Sequence, residues 1–304
     1  MNYQEKLQEF IEKNSDLGTP WGCKKKLVVI YWPTASWKTS MSIEIAKKLN
    51  SEIISTDSRQ IFRESNIWTA KITKEEMDWV KHHMINIVNL DEDFSVWAYK
   101  NQSEKIMEKL YSENKIPILA WWTGLYIDSL VYDFQIPKVI WDKDLRKKLE
   151  KEAKDFWVNY IYDKLKKLDP ENYEKVHKNN VQYVVRALEV IMISWKSKYE
   201  NSVEKKLKYD VLFLTPYTWN REQLYDRINY RVDLMFEQWL EKEIKDLMKK
   251  WYSRKSFWLK SIWYTEYFDY LDWIYTWEEM ISKIKQHSRN YAKRQLTWFR
   301  KYKK

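Results

Sequence analysis

Near the start of this chain, a short apolar run leads into a segment that would be a phosphate-binding loop if two tryptophans were glycines. The run Leu27–Tyr31 precedes Trp32-Pro-Thr-Ala-Ser-Trp-Lys-Thr39. A loop of the form G-x-x-x-x-G-K-[ST] surrounds phosphate oxygens with backbone N–H groups at a helix N-terminus. Its final glycine lets the backbone approach the phosphate closely. The indole of Trp37 would fill the space in which the phosphate should lie.

The composition also links tryptophan to glycine. The 304 residues include 19 Trp and only 3 Gly, whereas glycine alone ordinarily makes up about 7% of a protein. The two counts together come to about that ordinary share. We hypothesise that most of these tryptophans are glycines in the native protein. A codon that means glycine in the source, with UGA the natural suspect, would then have been read as tryptophan.

Charge, cysteine content and hydropathy limit the class of protein. The formal net charge of +10 and the pI near 9.2 favour a polyanionic partner. The single cysteine, Cys23, excludes a disulfide framework and a cysteine-based zinc site. There is no apolar run of about 18 residues, so no membrane span is expected. The segment Met1–Lys13 has the pattern of a polar amphipathic helix rather than a signal peptide. We therefore expect a cytoplasmic protein.

Alternating strand, turn and helix patterns predict the fold class. A helix is predicted over 39–49, and further helices over 221–250 and 276–300. Predicted strands are Leu27–Tyr31, Glu52–Ser55, Ile116–Ala120 and Tyr209–Leu214. This alternation predicts an α/β fold, in which a P-loop-type parallel sheet core is flanked by helices and binds ligands at the carboxyl ends of its strands.

The helical, highly charged segment 141–198 interrupts this pattern. We therefore divide the chain into an N-terminal extension, 1–23, and an α/β core, 24–140 with 199–304, that ends in a basic helix. The segment 141–198 forms a helical insertion domain within that core.

Nine segments, taken in order, match the motifs of one family. With most tryptophans interpreted as glycines, the chain resembles the tRNA dimethylallyltransferase family (tRNA isopentenyltransferases) over nearly its whole length. The segment 32–39 is similar to the family's Gly-Pro-Thr-Ala-x-Gly-Lys-Thr loop. The other eight segments are Ile54–Gln60, Ile67–Lys71, His82–His83, Pro117–Tyr126, Val185–Val190, Arg231–Met235, Ile262–Glu266 and Tyr291–Arg300. Several are weak alone, but nine in the family's order are specific.

The departures from the family concentrate on its glycines. Tryptophan stands where the family has glycine at Trp32, Trp37, Trp68, Trp121, Trp122, Trp239 and Trp263. Trp298 differs from these because the family has tryptophan there too. Random drift would not select glycines so consistently, so this pattern favours the misread-codon hypothesis.

The resemblance implies a reaction and a site for it. A dimethylallyl group would pass from dimethylallyl diphosphate to the exocyclic amine (N6) of the adenosine 3′-adjacent to the tRNA anticodon, giving N6-isopentenyladenosine. Asp57, at a strand end, would accept the amine proton, although a turn or helix-capping role is the alternative. Arg231, with Arg227 second, would stabilise the diphosphate. The diphosphate loop would comprise Trp32, Pro33, Thr34, Ala35, Ser36, Trp37, Lys38 and Thr39, with Mg²⁺ at Thr39 and Lys38 as a catalytic charge.

The same resemblance implies a tRNA surface. The implied contacts are Asp57, Ser58, Arg59, Gln60, Thr123, Arg146, Gln182, Arg186, Lys293 and Arg294. Independently, Lys283–Lys304 holds nine Lys or Arg and no acidic residue, with aromatics interleaved. This pattern is typical of RNA binding, although a solvated helix face with a frayed tail is the alternative. We expect the insertion to clamp the anticodon stem and the target base to flip out of its stack. His82 and His83 are expected to pack or contact RNA rather than bind metal.

Three other functions stay open. An adenylate isopentenyltransferase would use the same donor with a free nucleotide, but such an acceptor needs neither the insertion nor the basic tail. A P-loop kinase or NTPase would bind and turn over ATP. A non-catalytic RNA-binding protein becomes the better interpretation if Trp37 is genuine, because the basic surface would survive and the phosphate site would not. One active site per chain suggests that a monomer suffices.

Overall fold

The computed structural model describes residues 2–13, 24–31, 33, 38–132, 142–199, 206–215, 220–250 and 263–302. The chain divides into two compact units. The first unit combines Met1–Asp133 with Leu207–Lys304, and the second is Phe134–Lys206. The predicted insertion, 141–198, lies within the second unit.

The first unit is built on a sheet of five parallel strands in the order β3-β2-β4-β1-β5. The strands are β1 (Lys26–Tyr31), β2 (Ile53–Ser55), β3 (His82–His83), β4 (Ile118–Trp121) and β5 (Asp210–Leu214). The central strands β1, β2 and β4 are mostly aliphatic and, apart from the half-buried Lys26, buried, as expected for parallel strands covered on both faces. The predicted parallel α/β class is therefore confirmed.

Helices account for most of the remaining described chain. In chain order they are α1 (Tyr3–Glu12), α2 (Lys38–Lys48), α3 (Val96–Ser112), α4 (Gly124–Val131), α5 (Lys143–Asp155), α6 (Trp157–Leu168), α7 (Val181–Ser194), α8 (Arg221–Glu237), α9 (Leu240–Lys249), α10 (Tyr264–Leu271) and α11 (Trp277–Phe299). Within the part of the chain described here, no helix is long and apolar enough to cross a membrane.

The single helix predicted over 221–250 is wrong, because the chain breaks between α8 and α9. Trp239 adopts φ 69° and ψ 35°, in the left-handed region. Its N–H donates to the carbonyl of Phe236 at 3.2 Å, the bond typical of a residue just past a helix end. A left-handed residue cannot continue a right-handed helix, so a new helix axis begins at Leu240.

The C-terminal helix is anchored to the sheet by aromatic side chains. The ring centre of Tyr31, at the end of β1, lies 5.4 Å from that of Phe299 and 5.2 Å from that of Tyr302. Tyr302 also stacks on Phe213 of β5, at 4.7 Å. The frayed tail considered from the sequence is therefore wrong as far as Tyr302, because the segment 299–302 belongs to the core.

The second unit is a small helical body with its own core. Its helices α5, α6 and α7 bury a shared set of aliphatic side chains: Leu149, Ile161, Leu165, Val184 and Leu188. Asp142 caps α5 by accepting the N–H groups of Asp144 and Leu145. The helical character predicted for this segment is confirmed.

Candidate active site

The predicted diphosphate loop connects β1 to α2. Within it, Pro33 is buried, Lys38 begins α2, and Thr39 is half-buried in the first turn of that helix. The loop residues Trp32, Thr34, Ala35, Ser36 and Trp37, and the side chain of Lys38, lie outside the described residues. The placement of the loop between a central parallel strand and a helix N-terminus is the one that phosphate binding requires.

The turns after β2 and β4 are joined by hydrogen bonds at the same edge of the sheet. The N–H of Thr56 donates to the carbonyl of Ala120 at 2.7 Å, and the N–H of Thr123 donates to the carbonyl of Thr56 at 2.9 Å. The N–H of Ser58 donates to the Thr123 hydroxyl at 2.9 Å. Ser58 and Thr123, which are 65 positions apart in the sequence, are thus brought together.

Asp57 lies at this edge and is fully buried. Its Oδ1 accepts the N–H of Arg59 at 2.8 Å, so the carboxylate shapes its own turn. Its negative charge also acts on Arg59, Lys71 and Arg231, in each case raising the pKa against the opposite effect of burial. The turn role considered from the sequence is therefore real, and it places the carboxylate among three cations.

Arg231 projects from α8 toward this carboxylate. Burial lowers its pKa to about 10, and the charge of Asp57 opposes that effect. Its Nη2 donates to the carbonyl of Thr69 at 3.5 Å, and its guanidinium lies 5.9 Å from the ring centre of Trp122. Arg227 is half-buried one turn earlier on the same face of α8. The four-residue spacing therefore places the two arginines on neighbouring turns of one helix face.

Gln60 and Arg59 occupy the interior of the site. Gln60 is fully buried, and its Nε2 donates to the carbonyls of Thr69 at 3.3 Å and Ala70 at 3.4 Å. Burial lowers the pKa of Arg59, while Tyr291 and Asp57 raise it. Gln60 therefore ties the Asp57 turn to the segment that also contacts Arg231.

Two charged residues with no predicted role contact this segment. The Nζ of Lys71 donates to Asn86 Oδ1 at 2.7 Å and to Asn66 Oδ1 at 3.0 Å. Glu243 of α9 accepts backbone N–H groups at residues 66–68. Lys71 ends a family-like motif, which was a usable signal. Glu243 lies on a charged amphipathic helix, where nothing in the sequence separates it from solvated neighbours.

In the second unit, two predicted tRNA contacts share one carboxylate. Arg146 Nη2 and Arg186 Nη1 lie 2.9 Å and 2.7 Å from Glu189 Oε2, and the Glu189 side chain is fully buried. Gln182 is exposed one turn before Arg186 on α7, as the four-residue spacing predicts. The buried carboxylate therefore holds both guanidinium groups.

The basic face of α11 carries the last two predicted contacts. Lys293 and Arg294 are both exposed. Lys293 Nζ lies 6.0 Å from the ring centre of Tyr225, and the Arg294 guanidinium lies 5.6 Å from that of Tyr291. Aromatic side chains therefore orient both cations at the surface.

The histidine pair packs at the sheet edge. His83 Nε2 lies 2.5 Å from Glu52 Oε2, and His82 Nδ1 lies 2.8 Å from the carbonyl of Val80. The His82 ring also contacts Trp121, with ring centres 5.7 Å apart. Burial lowers the pKa of both imidazoles.

Comparison with known proteins identifies the family. A family model described as IPP transferase matches residues 60–302. The chain belongs to the IPP transferase family. It is 44% identical over 281 residues to the tRNA dimethylallyltransferase of Alkaliphilus oremlandii, covering 92% of this chain and 90% of that protein. It is also 44% identical over 280 residues to that of Bacillus anthracis, covering 91% and 88%.

Solved structures of IPP transferases share the fold. A full-length tRNA isopentenylpyrophosphate transferase from Bacillus halodurans matches with a TM-score of 0.66 and 40% identity, covering 91% of this chain and 87% of the other. A eukaryotic dimethylallyltransferase acting on tRNA matches with a TM-score of 0.77 and 31% identity, covering 90% and 70%. The resemblance read from nine motifs is therefore confirmed.

Proposed function

We propose that this IPP transferase moves a dimethylallyl group from dimethylallyl diphosphate to N6 of the adenosine 3′-adjacent to the anticodon of tRNA. The observation that carries the proposal is the buried Asp57 carboxylate, which lies at the same strand edge as the diphosphate loop and within electrostatic reach of Arg231. A base and an anion-binding cation are the two groups that this transfer needs.

The reaction assigns one role to each group. The allylic carbon breaks its bond to a diphosphate oxygen and forms a bond to N6, and N6 loses a proton to Asp57. Negative charge grows on the diphosphate as that bond breaks. Arg231, Arg227, Lys38 and the loop amides would stabilise this charge in a site from which water is largely excluded. Phosphoryl transfer is not required, so ATP turnover is not part of the proposal.

Magnesium suits a site in which the substrate supplies most of the ligands. Among the described residues, no group of three or more His, Cys, Asp or Glu side chains could hold a metal. Mg²⁺ usually keeps several waters and binds through few protein oxygens plus substrate phosphates. The Thr39 hydroxyl, in the first turn of α2, would provide such an oxygen. When bound there, the ion would neutralise charge on the diphosphate.

The proposed tRNA contacts divide between the site interior and exposed surfaces. The buried Gln60 and half-buried Arg59 would meet the extruded base, because a base must leave its stack to reach a buried carboxylate. Lys293 and Arg294 would bind phosphates of the anticodon stem-loop from α11. Gln182, Arg186 and Arg146 would contact the same RNA from the helical insertion. All these residues belong to one chain, so we propose a monomer that acts on cytoplasmic tRNA.

The test is transfer of labelled dimethylallyl from its diphosphate into unmodified tRNA with Mg²⁺. It compares the chain as written with a variant that has Trp→Gly substitutions at 32, 37, 68, 121, 122, 239 and 263. Activity in the variant alone would support both the function and the glycine hypothesis. Activity in both would support the function and contradict the steric argument about Trp37. Activity in neither would overturn the proposed function and leave RNA binding or another acceptor.

A further inference from the structure

Glu243 makes an unusual set of contacts for a glutamate on a surface helix. Its Oε2 accepts the N–H groups of Asn66 at 2.9 Å and Ile67 at 2.8 Å, and its Oε1 accepts that of Trp68 at 3.4 Å. Burial raises the pKa of this carboxyl, and those three backbone bonds together with Lys71 lower it. One carboxylate thus holds three consecutive amides of a turn that is about 175 positions away in the sequence.

The turn held by Glu243 leads directly to the carbonyl that contacts Arg231. Residue 69 follows the three amides, and its carbonyl accepts both Arg231 Nη2 and Gln60 Nε2. The Thr69 hydroxyl donates to the carbonyl of Ser65 at 2.7 Å, which closes the turn. Lys71, which follows the turn, donates hydrogen bonds to the side chains of Asn66 and Asn86. The position of the arginine is therefore linked to Glu243 through only one turn of backbone.

We propose that Glu243 is a positioning residue for the diphosphate site, acting through the 66–69 turn on the Arg231 guanidinium. The proposal rests on the proposed function, since it takes Arg231 to bind the donor diphosphate. If Glu243 is truncated, the three amides lose their common acceptor and the Thr69 carbonyl loses its fixed place. Truncation should therefore weaken diphosphate binding and leave tRNA affinity unchanged.

The parent for this test carries Trp→Gly at the seven family positions, because the indole of Trp37 would fill the phosphate space. The test measures binding of inorganic diphosphate by calorimetry and, separately, the KM values for donor and tRNA. Glu243→Ala is compared with Asp246→Asn, an exposed carboxylate on the same helix that pairs with Lys249. We expect Glu243→Ala to weaken diphosphate binding and raise the donor KM about tenfold, leaving the tRNA KM within about twofold. Glu243→Gln keeps one acceptor oxygen, so its diphosphate affinity and donor KM should lie between those of the parent and Glu243→Ala. If the alanine variant does not fold, Glu243→Gln takes its place in the test.

Unchanged diphosphate binding in a folded Glu243 variant would overturn the proposal. So would a loss that affects the donor KM and the tRNA KM equally, because that is the result of general destabilisation. Failure of the proposed function gives a different result: the parent would transfer no dimethylallyl, while its diphosphate affinity would still depend on Glu243.

A second and independent observation concerns the backbone of the tryptophans. Thirteen non-glycine residues in the described part of the chain have a positive φ, and seven of them are tryptophan. Bulky side chains rarely adopt this conformation. Three of the seven, Trp121, Trp239 and Trp263, are at family glycine positions. The other four are outside every motif: Trp79, Trp157, Trp195 and Trp273.

Two of these four residues follow helix ends in the manner of glycine, and a third lies at the junction of two helices. Trp195 has φ 58° just past the end of α7, and Trp157 has φ 69° as the first residue of α6, two positions after α5 ends. Trp273 has φ 60° after α10, and its N–H donates to the carbonyl of Tyr270 at 3.1 Å. The next N–H, of Ile274, donates to Asp269 at 2.8 Å. This pair of bonds defines the Schellman motif, whose left-handed residue is usually glycine.

The side chains of the four tryptophans are not buried, so packing does not offset the cost of their left-handed backbone. Trp79, Trp157, Trp195 and Trp273 are 79–100% exposed. We infer that these four positions, in addition to the seven in the motifs, are glycine in the protein as its source makes it. The structure gives no backbone reason for glycine at Trp68 or Trp122, where φ is not positive.

The first test is the mass of peptides covering 79, 157, 195 and 273 in protein from the source. Glycine masses at these positions are expected, and tryptophan masses would overturn the inference. The second test is the thermal midpoint of the chain as written after Trp→Gly at the same four positions. Relief of four left-handed tryptophans should raise it by about 5 °C or more. Trp97→Gly is the control, because Trp97 is also exposed but lies within helix α3, and it should lower the midpoint. A quadruple variant with a lower midpoint would contradict the backbone argument.

Discussion

Gly124 and Trp298 are in direct contact, and the contact leaves no room for a larger residue at 124. A Cβ added to Gly124 would lie 2.2 Å from Trp298 Nε1. Gly124 begins α4 immediately after Thr123, whose hydroxyl accepts the N–H of Ser58 in the site. Helix α11 therefore packs its tryptophan against the backbone that supports the active-site turn.

Gly124→Ala is expected to destabilise the first unit by about 1–3 kcal/mol, the usual cost of overpacking. The alanine methyl would meet the indole rather than the end of a flexible chain, so the helix backbone must shift. Chemical unfolding of the variant and its parent measures this difference.

The Trp298→Ala background is the control for that substitution. Without the indole, Gly124→Ala should cost little, and the double-mutant cycle should show a coupling of about 1 kcal/mol or more. Equal costs in the two backgrounds would show that this contact does not set the stability of the α4 start.

Asp57→Asn is expected to lower the transfer rate by about 10²–10⁴-fold, because the amide cannot accept the N6 proton. Its Oδ1 can still accept the N–H of Arg59, so the turn should survive. The measurement is single-turnover transfer into tRNA in the background with Trp→Gly at the seven family positions, and Asp91→Asn, an exposed carboxylate, is the control. A rate within tenfold of the parent would remove Asp57 from the role of base.

The sequence predicted the sheet well because its strands are unusually explicit. Leu27–Tyr31 and Ile116–Ala120 are apolar runs followed by turns, and both form parallel strands within one or two residues of the predicted bounds. Ligands of a parallel sheet bind at the carboxyl ends of its strands, so Asp57 could be predicted at a strand end near the diphosphate loop. The reaction itself came from the motifs and not from this geometry.

The helix end at Trp239 and the partners of the charged residues could not be predicted from the sequence. The break at Trp239 depends on a left-handed backbone that helix propensity gives no sign of when the residue is tryptophan. The pairing of Arg146 and Arg186 on Glu189 depends on the packing of α5 against α7. Glu243 meets residues 66–68 only because α9 crosses that turn. Each of these features is set by tertiary contacts, which a local sequence pattern does not predict.

Arg231→Lys is expected to raise the KM for dimethylallyl diphosphate and to lower kcat by about 10–10³-fold. Lysine keeps the charge but loses the planar fork that can contact both the Thr69 carbonyl and an anion. Arg227→Lys should have a smaller effect. Steady-state kinetics with varied donor at saturating tRNA, in the background with Trp→Gly at the seven family positions, gives both values. A larger loss from Arg227→Lys would reverse the roles assigned to the two arginines.

Replacing Lys293 and Arg294 together by Gln is expected to weaken tRNA binding without changing the donor KM. Each phosphate contact that is lost should reduce the slope of log affinity against log salt by about 0.7–0.9. The control is the double replacement of Lys105 and Lys109, which are exposed on α3, by Gln. Filter binding over a range of salt concentrations measures the slope. An equal change of slope in the α3 control would mean that general basic charge, and not this face of α11, binds the tRNA.

Lys71 should make stability depend on pH above neutrality. Burial lowers its pKa from 10.5 to about 8, with Glu243, Asp57 and Glu64 opposing that effect. Between about pH 8 and 10.5 the unfolded chain therefore binds more protons at this residue than the folded chain does. The contribution of Lys71 to the free energy of unfolding must then rise with pH in this window.

Lys71→Met removes that titration and keeps the length of the side chain. The thermal midpoint of the parent minus that of the variant is expected to increase from pH 8 to pH 9.5. Over this range the parent loses its buried charge, whereas the variant has no charge at this position. Other titrating groups are common to both proteins and cancel in the difference. Lys74→Met, at an exposed position of the neighbouring turn, should show a constant difference over the same range. A Lys71 difference that stays constant or decreases would mean that burial does not lower the pKa of this ammonium group.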